Sequence, residues 1–191
     1  MNFNEEIYKK TINRVKLLEE IKALIDNAKD DLLVVLRIHL MCENLLEAWI
    51  CASIGESDFF VHPKDLRLTF SNKLAIAYNL RLPKPAYDFF GKINQVRNKF
   101  SHKIENRNIT IGLASELEST ITKLAPHDAP KITISEGNKE IYSIDNPSTP
   151  ERVKLCLLFI VFQLNLTLAT MPDIGPDETG ETKTATFTFS M

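Results

Sequence analysis

The residues of this chain that are best suited to chemistry lie in one short run, from Arg97 to His102. The run holds the guanidinium of Arg97, the amide of Asn98, the hydroxyl of Ser101 and the imidazole of His102. These groups are the donors and acceptors that a site for phosphate groups uses, and a guanidinium fits a phosphate with a planar fork of donors. The same residues also fit a solvent-facing side of a helix. The elements that position them therefore have to be considered next.

A single helix is predicted to carry this run, within the sequence RLPKPAYDFFGKINQVRNKFSHK over residues 81–103. Proline is tolerated only in the first turn of a helix, so Pro83 and Pro85 mark its start. At about 100° per residue, four apolar side chains fall on one narrow stripe: Phe89, Ile93, Val96 and Phe100. A separate polar sector contains Tyr87, Asn94, Arg97, Asn98, Ser101 and His102. The pattern predicts a helix with one face in a core and one polar face.

The rest of the chain predicts an all-α fold in one domain, residues 1–191, as a bundle of five or six helices with a small β-hairpin. A composition of 44% hydrophobic and 25% charged residues is typical of a soluble globular domain. Apolar residues at three- and four-residue steps predict amphipathic helices. The predicted helices, besides the one above, cover residues 4–28, 32–54, 66–80, 113–124 and 148–171. The second of these is apolar on nearly every side, which predicts the central helix of the bundle.

The C-terminal third adds the β-hairpin, predicted over residues 131–144. Two alternating segments flank Glu136-Gly137-Asn138, which is a turn signal. The helix that follows has an uncharged stretch near the lower length limit for a membrane span, and Gln163 and Asn165 interrupt it. We therefore expect a buried bundle helix and no membrane contact. Residues 172–191 form an acidic and then β-prone tail.

The net charge of −2 gives no global basic field, so contact with nucleic acid requires a local patch. Lys92, Lys99 and Lys103 supply one near the polar run. The three cysteines show no CxxC spacing, which predicts reduced core thiols and a cytoplasmic protein. No metal-ligand spacing links His62 and His127, so we expect no metal site and no cofactor.

The signature R-N-x-x-x-H formed by Arg97, Asn98 and His102, together with LTFSNKLAIAYNL before it, resembles the HEPN superfamily of helical-bundle proteins. The likeness covers roughly residues 30–103 and is nearest to the mannitol-operon-repressor-like branch. Ribonucleases of that superfamily carry an arginine, four to six intervening residues and a histidine, and they need no metal. The resemblance implies a metal-independent endoribonuclease acting in stress, defence or regulation.

By this resemblance His102 is the general acid or base at the ribose 2′-hydroxyl, and Arg97 stabilises the charge of the phosphorane. Asn98 orients the histidine or a phosphate oxygen. We further expect Lys99, Ser101 and Lys103 to contact the RNA, and Tyr87 to stack a base. Arg97 and His102 lie about 140° apart on an ideal helix, so either the helix loosens at Ser101 or a second subunit completes the site. The superfamily's two-fold dimer satisfies that geometry, and we expect a homodimer.

Other interpretations stay open at this point. The same scaffold also serves as a non-catalytic regulatory or protein-interaction module. Arg97 is equally suited to an ion pair with Glu43 or Glu47, and His102 to a solvated helix end. His39 lies in a crowded helix and is expected to be a packed core residue. A cognate inhibitor protein is a further expected partner, but Ile104 stands where nucleotidyltransferase-paired toxins of the superfamily have a tyrosine.

Overall fold

The computed structural model describes residues 3–61, 68–102, 108–124, 132–136 and 139–170. Within these ranges it contains seven helices and one two-stranded antiparallel sheet. The elements are α1 (Glu5–Thr11), α2 (Arg14–Asn27), α3 (Asp31–Ile54), α4 (Phe70–Asn79), α5 (Lys84–His102), α6 (Ile111–Leu124), β1 (Thr133–Glu136), β2 (Lys139–Ser143) and α7 (Glu151–Thr170). The prediction of an all-α chain with a small hairpin is confirmed. The predicted tail, residues 172–191, lies outside the described residues.

The predicted helix over residues 4–28 is two helices, and this accounts for a seventh helix where five or six were expected. α1 ends at Thr11, and the side chain of Asn13 accepts a hydrogen bond from the backbone N–H of Lys16 at 3.0 Å. Asparagine is a strong N-cap, so its local hydrogen bond starts a new helix although the apolar periodicity continues through it.

The chain divides into two compact units, Met1–Arg107 and Asn108–Met191. The first unit contains α1 to α5, and the second unit contains α6, the hairpin and α7. The prediction of one domain over residues 1–191 stays a prediction.

In the first unit α3 is the central helix, as its apolar sequence predicted, because α1, α4 and α5 all pack against it. Its start is fixed by Asp30, whose carboxylate accepts from the N–H of Leu32 at 2.9 Å. Its end is fixed by Gly55, which takes the left-handed conformation with φ 82° that closes a helix.

A tight turn between α4 and α5 sets the geometry of the candidate site. The N–H of Leu82 bonds to the carbonyl of Ala77 at 2.9 Å, and the N–H of Arg81 bonds to that of Tyr78 at 3.0 Å. This pair of bonds is a Schellman motif, and it places Arg81 in the left-handed region at φ 66°. Both helices also pack on α3, so three helices of the first unit enclose one set of side chains.

The stripe predicted for α5 is its buried face: Phe89, Ile93, Val96 and Phe100 are all buried. Burying four large apolar side chains contributes several kcal/mol to the packing of α5. This anchored face fixes the rotation of the helix about its axis and therefore the direction of its polar face.

The second unit contains the predicted hairpin, in which β1 and β2 pair antiparallel with an irregularity between Ile134 and Ser135. The hairpin packs on α7, and the N–H of Ser143 donates to the hydroxyl of buried Thr149 at 3.2 Å. By length and composition α7 could cross a membrane, but 72% of its most apolar 18-residue stretch is buried in the molecule. That burial also fits the core helix that the sequence predicted.

Candidate functional site

The polar face of α5 lies opposite its buried stripe and carries the predicted site residues. Tyr87, Asn94 and Ser101 recur every seven residues and therefore share one side of the helix. Asn98 lies on the same side, one turn beyond Asn94. Asn98 and Ser101 are exposed, whereas Arg97 and Asn94 are half-buried between this face and the packed side of the helix.

Arg97 and Asn98 are in direct contact, since a terminal nitrogen of the guanidinium donates to the amide oxygen of Asn98 at 3.1 Å. The hydroxyl of Ser101 donates to the backbone carbonyl of Arg97 at 2.9 Å. Across the part of the chain that the structure describes, no carboxylate lies within ion-pair distance of this guanidinium. Among the described residues, the positive charge of Arg97 is therefore oriented by a neutral amide and has no acidic partner.

Glu43 and Glu47, which the sequence suggested as ion-pair partners of Arg97, are instead paired with Lys73. The ammonium nitrogen of Lys73 on α4 lies 2.6 Å from a carboxylate oxygen of Glu43 and 2.5 Å from one of Glu47. Lys73 is only 8% exposed, and its Nζ also lies 5.5 Å from the centre of the Phe60 ring. Burial acts to lower the pKa of Lys73, but the hydrogen bonds and charges of the two glutamates outweigh it and raise the pKa above 10.5. We call Lys73, Glu43 and Glu47 the closed cluster.

A second polar group joins the same three helices beside Arg97. The ring nitrogen Nε2 of His39 on α3 lies 3.1 Å from the amide oxygen of Asn94 on α5. The amide nitrogen of Asn94 in turn donates to the hydroxyl of Ser71 on α4 at 3.4 Å. We call His39, Ser71, Asn94 and Arg97 the open cluster, because its one full charge has no described acidic partner.

His39 has the core position that the sequence predicted, with 8% of its surface exposed and its ring 4.4 Å from that of Phe70. Burial lowers the pKa of His39 below its ordinary value of 6.5, and the charge of Arg97 lowers it further. The hydrogen bond that His39 makes to the amide oxygen of Asn94 and the charge of Glu43 oppose that shift. Sequence alone did not indicate that this imidazole pairs with Asn94 or is affected by the charge of Arg97, because both depend on how α3 packs against α5.

Tyr87 lies about ten residues, or roughly 15 Å of helix, from Arg97. Its ring centre is 4.7 Å from that of Tyr78 on α4, and the ammonium of Lys84 lies 5.1 Å above it. Lys84 is also paired with Asp88. Tyr78 is 45% exposed, so the pair forms a partly accessible aromatic surface at the turn end of α5.

The remaining predicted site residues are placed only in part. Lys99 is exposed on α5. His102 is the last residue of α5, but its side chain lies outside what the structure describes, as does all of Lys103. The predicted contact of Arg97 with His102 therefore stays a prediction.

The cysteines of the chain are all buried free thiols: Cys42, Cys51 and Cys156. Burial raises the pKa of all three thiols, that of Cys156 to about 12, so these side chains are unreactive packing residues. Among the described residues, no group of three or more His, Cys, Asp or Glu side chains is placed to hold a metal ion.

Comparisons of the chain with models of protein families, with curated proteins and with solved structures gave no match. Within the residues that the structure describes, the fold and the site thus define a helical protein whose polar helix face carries an arginine without an acidic partner.

Proposed function

We propose that this chain is a metal-independent endoribonuclease of the HEPN type, with Arg97, Asn98 and His102 at its site. The observation that carries the proposal is the state of Arg97. Its guanidinium is half-exposed, is oriented by Asn98 at 3.1 Å and has no described carboxylate partner. A partly desolvated cation without an acid is a binding site for an anion, and a guanidinium matches two oxygens of one phosphate.

The surroundings of Arg97 favour a nucleic acid as the source of that phosphate. Exposed Lys99 adds a positive charge two residues beyond Arg97 on α5, and Tyr87 with Tyr78 offers aromatic surface about 15 Å from Arg97. Aromatic rings stack unpaired bases, whereas lysines attract the backbone. Unpaired RNA extended along α5 satisfies both kinds of contact.

In the proposed reaction His102 accepts the proton of a ribose 2′-hydroxyl, and the 2′-oxygen attacks the adjacent phosphorus. The bond from phosphorus to the 5′-oxygen breaks, and that oxygen takes up a proton from solvent as it leaves, while His102 later returns its proton to solvent. The products are a 2′,3′-cyclic phosphate and a 5′-hydroxyl. Arg97 stabilises the additional negative charge of the phosphorane, a role worth roughly 10²–10³ in rate when a positioned donor is removed elsewhere.

A two-fold dimer is part of this proposal, because Arg97 and His102 lie about 140° apart on one helix. Leu33 and Leu40 support it: they lie seven residues apart on α3 and are 45% and 52% exposed. Exposed leucines at that spacing form one apolar helix face, which a second copy of the chain would bury.

The direct test is cleavage of a fluorescent single-stranded RNA in EDTA by the wild type and by His102→Ala. We expect the wild type to cut and to leave cyclic phosphate ends, and the variant to lose at least 100-fold in rate. Lys16→Gln, an exposed change on α2, is the matched control. If the wild type does not cut, or if both cut equally, the nuclease proposal is wrong. Binding without cutting would assign the scaffold to a non-catalytic regulatory module.

A mixing experiment tests the composite site separately. Arg97→Gln and His102→Ala chains are each inactive in the proposal, but a heterodimer of them contains one intact pair if the pair is formed across the two-fold axis. Random re-association then restores about a quarter of the wild-type rate. No recovery in a mixture that has exchanged subunits would place both residues of each site in one subunit.

A further inference from the structure

The hydrogen bonds of the open cluster fix which nitrogen of His39 carries the proton. The amide nitrogen of Asn94 donates to Ser71, so its amide oxygen is the atom that faces the imidazole. An amide oxygen only accepts, and Nε2 of neutral His39 must therefore be the protonated nitrogen. The lone pair is then on Nδ1, which has no hydrogen-bond partner among the described residues.

The charges that face this imidazole come from two helices. Arg97 on α5 is a cation without a described counter-ion, and Glu43 on α3 is shared with Lys73 of the closed cluster. α4 contributes the Phe70 ring and, through Asn94, the neutral hydroxyl of Ser71. A proton on Nδ1 would thus place a second positive charge beside Arg97 in a largely buried position. The free protein holds His39 neutral near pH 7 for that reason.

We propose that His39, Asn94 and Arg97 form a proton-linked binding site for a backbone phosphate of single-stranded nucleic acid. The inference rests on the proposed function and names a second imidazole at the same site. A phosphodiester that accepts hydrogen bonds from Arg97 offsets the repulsion between the two cations. Nδ1 then takes one proton from solvent and donates it in a hydrogen bond to the phosphate, while Nε2–H stays on Asn94. No covalent bond is made or broken.

Linkage gives this site a measurable property. Because one proton is taken up for each phosphate bound, affinity increases as the pH falls toward the ordinary range of histidine. The limit for a single linked proton is about tenfold in the dissociation constant per pH unit. Phosphodiesters do not titrate in this range, so the dependence reports the protein.

The experiment is an NMR titration of the imidazole nitrogens of the full chain between pH 5 and 8, with the four histidines assigned by substitution. The probe is hexathymidylate, a DNA strand that lacks the 2′-hydroxyl and cannot be cleaved by this route, and sulfate is the simple anion. We expect saturating hexathymidylate to raise the pKa of His39 by about one unit or more. A response to both probes supports a phosphate-sized anion site, and a response to hexathymidylate alone assigns it to the polymer. A response to sulfate alone, or an unchanged titration of His39, overturns the proposal.

His39→Gln supplies the matched variant, because its side-chain amide can still donate to Asn94 but cannot take up a proton at these pH values. We expect its affinity for hexathymidylate to lose the pH dependence, whereas Lys16→Gln keeps it. A wild-type pH dependence in His39→Gln would overturn the proposal. RNA cleavage with no response of His39 removes this inference and leaves the nuclease intact. A response of His39 without RNA cleavage supports the phosphate site and removes the nuclease proposal.

Discussion

The first unit contains two polar clusters that differ in how charge is balanced: the closed cluster joins α3 and α4, and the open cluster joins α3, α4 and α5. In the closed cluster one buried ammonium is held by two carboxylates at 2.6 and 2.5 Å. In the open cluster the imidazole of His39 bonds to the neutral amide of Asn94, and the guanidinium of Arg97 bonds to the neutral amide of Asn98 with no described acid. Both clusters join helices, yet in the described part of the chain only the open cluster leaves a charge near solvent without an acidic partner. The closed cluster is therefore assigned to stability and the open cluster to binding an anion.

Removing the cation of the closed cluster should produce the largest loss of stability. In Lys73→Met, two carboxylates face each other without their counter-ion, and breaking a buried ion pair costs about 3–5 kcal/mol. Since the glutamate side chains are 25% and 30% exposed, we expect about 2–4 kcal/mol, measured by urea unfolding. Lys16→Met is the exposed control, and we expect its free energy of unfolding to lie within about 0.5 kcal/mol of the wild type. A loss below about 1 kcal/mol for Lys73→Met would remove the structural assignment.

The open cluster should give the protein a pH-dependent stability through His39. Its pKa is lowered in the folded state, so the unfolded state binds the proton more readily. Stability is therefore present above pH 6.5 and is lost as the pH falls through that value toward the folded pKa. The slope for one proton is at most about 1.4 kcal/mol per pH unit. Unfolding measured between pH 5 and 7.5 should show the decline in the wild type and a smaller one in His39→Gln.

Asn94→Asp, a single isosteric substitution, also tests whether the pKa of His39 sets the pH dependence of stability. A carboxylate in place of the amide oxygen attracts the imidazolium and raises the pKa of His39. We expect the acid-induced loss of stability to shrink or to reverse in sign relative to the wild type, by the same unfolding measurement. An unchanged pH profile would mean that His39 does not set it.

Lys99 should contribute the smallest effect, because it is an exposed charge that lies about 160° around α5 from Arg97, away from the open cluster. If Lys99 contacts one phosphate of a single strand, Lys99→Gln lowers the slope of log affinity against log salt by about 0.7. The measurement is fluorescence anisotropy of a single-stranded RNA at several salt concentrations. A slope equal to that of the wild type would remove Lys99 from the binding surface.

The sequence predicted well what depends on local periodicity and capping. The apolar stripe from Phe89 to Phe100 is the buried face of α5, and α3 ends at Ile54, where its predicted range of 32–54 ends. The break at Asn13 was missed, since a side-chain cap competes with a continuing apolar pattern.

Contacts between helices could not be read from spacing. Glu43 and Glu47 were expected to form ion pairs, but their partner Lys73 lies 30 and 26 residues away in sequence, respectively. The same is true of His39, which is 55 residues from Asn94. Both contacts follow from the packing of α3 against α4 and α5, which is set by the whole core. The residue types of the polar face of α5 were predictable, and the partners of those residues were not.

The most direct test of the assignment is the cleavage rate of Arg97→Gln, measured on samples whose unfolding free energy is also determined. Since Arg97 has no described acidic partner, we expect stability to change by no more than about 0.5 kcal/mol. The rate of RNA cleavage in EDTA should fall at least 100-fold. A wild-type rate in Arg97→Gln, or a loss of stability as large as that of Lys73→Met, would contradict the account.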